Sequence, residues 1–192
     1  MPGLTRTLVA PLAILLFVLL GQTLVACGAE TRGRVSWIHD GDTLEIEGLG
    51  RVRLLGIDVP ENRDSHRDRF YQERFGIAPP RLRQTAADAL QFNIRHAKGQ
   101  VVSLRFDGER RDRHGRLLAY VILPDGRNLN RLLVEEGLAG VYRRFDFSLK
   151  EDFLRAEDEA RGRKKGMWAE HEGRSPSRRS ALRVSSILVS FL

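Results

Sequence analysis

Four carboxylates and one arginine lie within 22 residues of one another, in two short runs of the chain. The first run holds Asp40 and Asp42, and the second holds Arg53, Asp58 and Glu61. Carboxylate oxygens are hard ligands that suit divalent cations, and a guanidinium fork matches the oxygens of a phosphate. This combination of residue types suits one chemistry well, that of a phosphodiester held against a divalent metal.

Asp42 and Asp58 are the candidate metal ligands, and the backbone carbonyl of Val59 is a candidate third ligand. A cation such as Ca²⁺ takes roughly 6–8 oxygen ligands, so this set leaves positions for water and for a substrate phosphate oxygen. Metal-assisted hydrolysis needs an open site of this kind. Pro60 favours an extended backbone at Val59.

Three further residues are candidates for the catalytic chemistry. Glu61 lies beyond the constrained turn at Pro60 and can orient or deprotonate an attacking water. Arg53, and Arg116 in the run 112–116, can each offer a planar fork to phosphate oxygens. Negative charge builds on those oxygens in the transition state, so fixed cations lower the barrier.

Each of these residues also has a plainer structural interpretation. The run 40–42 is typical of a hairpin turn, and we expect Asp40 to form a turn rather than to bind a metal. The run 58–61 could be no more than a strand exit. Arg53 and Arg116 could be partners in surface ion pairs.

The spacing of Arg53 and Asp58 presents a geometric problem. The two residues are five apart, and an odd separation in a flat strand places side chains on opposite faces. Gly56 lies between them, and glycine tolerates a bulge or a sharp bend. If both side chains face one substrate, the backbone must be irregular from Gly56 to Asp58.

The elements that would position these residues are short. Strands are predicted over 34–39, 44–47, 51–57, 101–106 and 117–123, and helices over about 86–97, 129–138 and 149–165. The polar segment 62–81 is predicted to be a surface loop. This order lacks the alternation of βαβ units, so the predicted fold class is α+β: a five-stranded OB-type β-barrel with about three α-helices.

The first residues are typical of an export signal. Arg6 precedes the uncharged run 8–20, which is short for a membrane span unless 21–23 are counted. The run 24–27 resembles the bacterial lipobox, in which the cysteine, here Cys27, receives a lipid. The alternatives are an ordinary signal peptide cut nearby and an uncleaved anchor. All three place the domain outside the cytoplasm, as a cell-envelope lipoprotein or a secreted protein.

The predicted organisation is a lipoprotein-type signal peptide over 1–26, a spacer over 27–33, one domain over 34–170 and a basic tail over 171–192 that we expect to be disordered. A weak membrane-surface or phosphate contact is the alternative role for the tail. The formal net charge of +7 includes four tail arginines, so the domain is only mildly basic. Cys27 is the single cysteine, which excludes an intrachain disulfide and a cysteine-rich zinc site.

Taken in order, these runs resemble the staphylococcal nuclease (thermonuclease) family. The runs that carry the resemblance are Asp40-Gly41-Asp42-Thr43, Val52 to Glu61, Asp112 to Tyr120, Asn130 to Ala139 and Gly166-Met167-Trp168. Together they extend over about residues 31–170. The chain departs from the founding member at Val59, where that protein has threonine, and at His114, where it has tyrosine.

The resemblance implies a five-stranded OB-type barrel with three helices and a calcium-dependent phosphodiesterase that acts on DNA and RNA. It implies water attack and cleavage to 3′-phosphate ends. By motif match, the calcium ligands are Asp42, Asp58 and the Val59 carbonyl, the phosphate ligands are Arg53 and Arg116, and the general base is Glu61. The expected partners are single-stranded DNA or RNA and, through an N-terminal lipid, a membrane; the expected state is a monomer.

Two rival functions belong to other classes. One is a non-catalytic OB-type module that binds nucleic acid at the cell envelope. Such domains typically lose part of the acid and arginine set, whereas this chain has all of it. The other is an envelope module that binds a protein or a glycan, which requires the motifs to be coincidental.

Overall fold

The computed structural model describes residues 31–169. The predicted signal peptide, Cys27 and the predicted tail lie outside the described residues. The first strand begins at Thr31, so the last three residues of the predicted spacer are part of it. No helix within residues 31–169 has the length and the apolar character that a membrane crossing requires.

Strands in the described part of the chain form a closed barrel and a separate two-stranded ladder. They are β1 (Thr31–Ile38), β2 (Thr43–Ile46), β3 (Gly50–Leu54), β4 (Ile57–Asp58), β5 (Val101–Arg105), β6 (Leu117–Ile122) and β7 (Gly140–Val141). The barrel has the order β1-β2-β3-β6-β5, and β4 pairs with β7. The β3–β6 pair is parallel, and the other barrel pairs are antiparallel.

The barrel core explains why Arg53 faces outward. Val52 and Leu54 on β3 are buried in the barrel, and they flank Arg53 in sequence. Because successive side chains of a strand point to opposite faces, Arg53 points away from that core. The apolar alternation of β3 therefore presents Arg53, together with the exposed Arg51, on the outer side of the barrel.

Helices cover part of the barrel. They are α1 (His66–Phe75), α2 (Pro79–His96), α3 (Leu129–Glu135) and α4 (Lys150–Gly162), followed by a 3₁₀ turn (Gly166–Trp168). The predicted α+β fold with a five-stranded OB-type barrel is confirmed. Residues 31–169 contain four α-helices, against the predicted number of about three.

The prediction of a surface loop over 62–81 is wrong, because α1 and the first turn of α2 occupy much of it. A capping box starts α1: the Arg67 N–H donates to the Ser65 hydroxyl at 3.0 Å, and the Ser65 N–H donates to Asp68 at 3.3 Å. Gly76 ends the helix with φ of +68°. Only Tyr71 of this helix is buried, so the segment has no apolar stripe that would predict a helix.

A buried amide joins α3 to the barrel near the site. The Asn130 Nδ2 donates to the carbonyls of Leu55, at 2.9 Å, and Ala119, at 3.1 Å. Its Oδ1 accepts from the Val121 N–H at 3.0 Å. These three hydrogen bonds fix the segment that follows β3 against β6.

Candidate active site

Asp42 lies in the tight bend between β1 and β2. The Asp42 N–H donates to Oδ1 of Asp40 at 2.9 Å, so Asp40 forms a turn, as predicted. The Asp42 carboxylate accepts from the Thr43 hydroxyl at 3.0 Å and from the Val59 N–H at 3.4 Å. Asp42 is only 9% exposed and forms an ion pair with Arg53. The bend therefore presents a fixed, largely buried carboxylate.

A residue of α2 that the sequence did not single out holds this bend. The fully buried Asn93 donates from Nδ2 to the Gly41 carbonyl at 2.9 Å. Gly41 also lies directly against Val59, because a Cβ built on Gly41 would fall 2.4 Å from a Val59 methyl. Only glycine fits here, and the bend is held between α2 and the Asp58 segment.

The backbone at Gly56 turns out of the barrel. Strand β3 ends at Leu54, two residues before Gly56, which has φ of +81°. The chain then enters β4, where Asp58 pairs with Gly140 of β7 rather than with a barrel strand. The predicted irregular backbone is confirmed, and the predicted strand over 51–57 is interrupted there. This change of sheet lets Asp58 lie on the same side of the molecule as Arg53.

Asp58 has two partners on α1. Arg67 forms an ion pair with its carboxylate, and the Tyr71 hydroxyl donates to Oδ2 at 2.9 Å and to the Asp58 carbonyl at 3.2 Å. Burial and the nearby Asp58 charge raise the pKa of Tyr71 well above its usual value, so Tyr71 is a neutral donor. Sequence reasoning missed both partners because it treated their segment as a loop; the Ser65 capping box is the signal that could have revealed it.

Arg53 lies among the charges of the site. It pairs with Asp42 and approaches the Ile57 carbonyl at 3.5 Å. The pKa of Arg53 is lowered from its usual value, chiefly by burial. The charge of Asp58 opposes this shift, and the charge of Arg116 adds to it. An arginine remains protonated in spite of such shifts. The guanidinium is thus a fixed cation beside both candidate metal ligands.

Arg116 is positioned by the loop between β5 and β6, which the sequence indicated only through the run 112–116. Its Nε donates to Oδ2 of Asp112 at 2.8 Å, and its Nη1 donates to the Thr43 hydroxyl at 3.2 Å. Oδ1 of Asp112 accepts from the backbone N–H groups of Arg116 and His114, at 3.0 and 2.9 Å. Burial alone would raise the pKa of Asp112, but these hydrogen bonds outweigh it and lower the pKa. Asp112 therefore holds Arg116 as a charged partner.

Glu61 is exposed at the mouth of a cleft. It has no ion pair or side-chain hydrogen bond with any residue in 31–169, and its charge is close enough to influence Arg53. The cleft has a volume of about 330 Å³, and Asp42 and Val59 also line it. The structure therefore brings all five charged candidates, together with Val59, to one region.

The donors suit a hard cation that keeps most of its water. No cluster of three or more His, Cys, Asp or Glu side chains with ligand geometry occurs among residues 31–169. Asp42 and Asp58 provide two carboxylates, and Val59 is linked to Asp42 by its N–H. Few protein ligands, all of them oxygen, fit Ca²⁺ or Mg²⁺ with a bound substrate and do not fit a closed zinc site. A cation here would share these carboxylates with Arg53 and Arg67.

A second cleft of about 480 Å³ lies beside the two arginines. Arg53 and Arg116 line it together with His114, Tyr142 and Phe145. Fixed cations suit the phosphate of a nucleotide, and the aromatic rings suit its base. The cleft can therefore hold a nucleotide whose phosphate lies between the guanidinium groups.

Comparison with known proteins agrees with this geometry. The family described as "Staphylococcal nuclease homologue" matches residues 51–170. The thermonuclease of Staphylococcus hyicus is 30% identical over 141 residues, which cover 71% of this chain and 75% of the thermonuclease. An uncharacterized endonuclease of Escherichia coli O157:H7 is 30% identical over 145 residues, 74% of this chain and 80% of that protein. An uncharacterized protein of Methanocaldococcus jannaschii is 33% identical over 147 residues, covering 71% and 70%. The chain belongs to the staphylococcal nuclease homologue family.

Proposed function

We propose that this protein is an exported, calcium-dependent nuclease that hydrolyses phosphodiester bonds of DNA and RNA and leaves 3′-phosphate ends. The observation that carries the proposal is the position of Arg53, which pairs with Asp42 and lies close to Asp58, Glu61 and Arg116. Relatives named thermonuclease and endonuclease support the reaction class.

Asp42, Asp58 and the Val59 carbonyl would hold the cation, which when bound neutralises phosphate charge and activates water. Glu61 orients that water toward phosphorus and accepts its proton. Its exposed carboxylate has no competing partner in the described chain and faces the cleft beside Asp42.

Arg53 and Arg116 bind the phosphate oxygens from the second cleft. Their contacts with Asp42 and Asp112 hold the two forks before substrate arrives. The water oxygen bonds to phosphorus while the bond to the 5′ oxygen breaks. The 5′ oxygen takes a proton from solvent water and Glu61 returns its own proton to solvent, so the products are a 3′-phosphate and a 5′-hydroxyl.

The test is digestion of a single-stranded DNA and a matching RNA by the purified protein, first with calcium and then with a calcium chelator. We expect cleavage of both substrates with calcium only, and product ends that a polymerase extends only after phosphatase treatment. Equal cleavage in chelator would contradict calcium dependence, and ends that extend directly would contradict 3′-phosphate products. Tight binding without cleavage would instead support a non-catalytic nucleic-acid-binding module.

We also propose that the protein is a cell-envelope lipoprotein attached through Cys27. The support is the run 24–27 after an apolar segment, and the absence of any other cysteine from the chain. Cys27→Ser should abolish incorporation of labelled fatty acid and release the protein from the membrane fraction. Continued membrane retention without label would indicate an uncleaved anchor, and a wild-type protein found only in the medium would indicate ordinary secretion.

A further inference from the structure

A groove that the catalytic chemistry does not use runs along α1. We call it the α1 groove; it has a volume of about 410 Å³, and its walls include Phe70 and Arg74 on α1 and Tyr142 and Arg144 after β7. Both arginines are exposed. The groove exists because the segment predicted to be a loop is a helix that stands beside the site.

The α1 groove carries unpaired positive charge. Neither Arg74 nor Arg144 has an ion-pair partner among residues 31–169. The one carboxylate in its walls, Glu157, is fully buried and already paired with Arg143. A groove with free guanidinium groups and no free carboxylate favours an anionic occupant.

Aromatic rings line the same groove. Phe70 is 42% exposed, which is unusual for a side chain of its size, and edge contacts to Tyr71 and Phe75 hold its ring at centroid distances of 5.5 and 5.8 Å. The Arg67 guanidinium lies 5.1 Å from the same ring. Exposed aromatic faces beside guanidinium groups are the features on which the bases of single strands stack.

The α1 groove adjoins the second cleft, because the two have wall residues in common. Tyr142 and Arg144 line both the groove and the cleft that contains Arg53 and Arg116. A strand whose phosphate lies between Arg53 and Arg116 can therefore pass over Tyr142 and continue along α1. Neither an isolated anion site nor a flat charged surface would have this connection.

We propose that the α1 groove binds the substrate strand beyond the cleaved phosphate, as a subsite for single-stranded DNA or RNA. The proposal rests on the proposed nuclease function. It explains why a helix with one buried residue presents an exposed phenylalanine and a free arginine on the side facing the site. It makes Phe70 and Arg74 determinants of preference for long substrates over short ones.

The test compares labelled oligodeoxynucleotides of three and fifteen nucleotides. Their affinities are measured by fluorescence anisotropy with calcium, in a full chain that also carries Glu61→Gln so that binding is separated from cleavage. Phe70→Ala and Arg74→Gln should each weaken binding of the longer strand about fivefold or more and change binding of the shorter strand less than about twofold. Arg74→Gln should also make the plot of log affinity against log salt concentration less steep, by about the slope that one phosphate contact contributes.

The matched control is Arg69→Gln. Arg69 is on the same helix and pairs with Glu73, and it does not line the groove. Arg69→Gln therefore removes one positive charge, as Arg74→Gln does, but at a position that the oligonucleotide would not contact. Equal weakening by all three variants would overturn the proposal, as would unchanged affinity in Phe70→Ala and Arg74→Gln. Arg74 is exposed, so Arg74→Gln should leave the apolar core folded. Weaker binding by this variant would therefore not result from unfolding.

Two further measurements separate the proposals. If the wild-type protein cleaves the longer strand and the groove variants cleave it equally well at low substrate concentration, the groove proposal fails and the nuclease function stands. If the wild type binds the longer strand through Phe70 and Arg74 but never cleaves it, the nuclease function fails and the groove assignment stands. Loss of binding to phosphatidylglycerol vesicles without loss of oligonucleotide binding would overturn the groove proposal in favour of a lipid surface.

Discussion

The Arg67 guanidinium on α1 forms an ion pair with the carboxylate of Asp58, one of the two carboxylates that suit the metal. Tyr71, one turn further along the same helix, donates a hydrogen bond to the same oxygen. Helix α1 therefore holds Asp58 in place and also brings a positive charge next to the proposed cation site. A monovalent cation so close to a divalent one has a predictable effect on affinity.

Arg67→Gln should tighten calcium binding about 3- to 10-fold, because the substitution removes a like charge from the metal's neighbourhood. Tyr71 would still hold the carboxylate. Isothermal titration calorimetry measures the affinity directly, and Arg69→Gln on the same helix should leave it unchanged. Weaker calcium binding in Arg67→Gln would show that the ion pair orients Asp58 for the metal more than it repels the metal.

Gly56→Ala should destabilise the fold and reduce activity. Alanine at this position would have to adopt φ of +81°. Its Cβ would also lie 2.7 Å from the ring of Phe147. The backbone cost is about 1–2 kcal/mol, and the clash adds about 1–3 kcal/mol. Chemical denaturation measures the loss, and calcium-dependent cleavage should fall because Asp58 shifts relative to Arg53.

Gly99→Ala is the matched control for Gly56→Ala. Gly99 has φ of +78°, and a Cβ there would meet nothing within 4 Å. It should therefore show the backbone cost alone, with normal activity. Equal loss of stability in the two variants would show that the contact with Phe147 contributes nothing.

Asn93→Ala should lower the free energy of unfolding by about 1–3 kcal/mol, because it leaves the buried Gly41 carbonyl without its donor. It should also weaken calcium binding, since Asp42 follows Gly41 in the bend that this amide holds. Thr85→Ala, at another buried polar residue of α2, should reduce stability without affecting calcium affinity. Unchanged calcium binding in Asn93→Ala would show that Val59 and Asp40 hold the bend without this amide.

The pH dependence of stability should report the Asp112–Arg116 contact. The folded-state pKa of Asp112 is below its ordinary value of about 3.9, so the unfolded chain takes up a proton before the folded protein does. The stabilisation is fully present above the unfolded pKa and is lost as pH falls through the folded pKa. Asp112→Asn should therefore make the loss of stability below about pH 4 shallower and should reduce turnover.

The free energy of unfolding, obtained by chemical denaturation at pH values between about 2.5 and 7, measures this effect. Asp64→Asn is the control, because Asp64 is exposed and has no side-chain hydrogen bond with any other residue of 31–169. An Asp112→Asn profile parallel to that of the wild type would show that the Arg116 contact contributes no pH-dependent stability.

The barrel and the charged set could be predicted from the sequence because both depend on local patterns. Strands such as β3 show alternating apolar residues between turn residues, and the strand–glycine–aspartate run predicted the bend at Gly56. Helix α1 could not be predicted in this way, because a capping box and side-chain contacts stabilise it and only Tyr71 is buried. The Asn93–Gly41 contact joins residues 52 apart, and no local pattern indicates it.

The most direct test of the proposed function is the initial rate of calcium-dependent cleavage of single-stranded DNA by wild type and Glu61→Gln, with calcium affinity measured in parallel. Removal of the proposed general base should lower the rate about 100-fold or more while calcium affinity changes less than about twofold. Asp64→Asn, near Glu61 in sequence, should retain the wild-type rate. A Glu61→Gln variant that cleaves as fast as wild type, or a wild type equally active in chelator, would contradict the proposed mechanism.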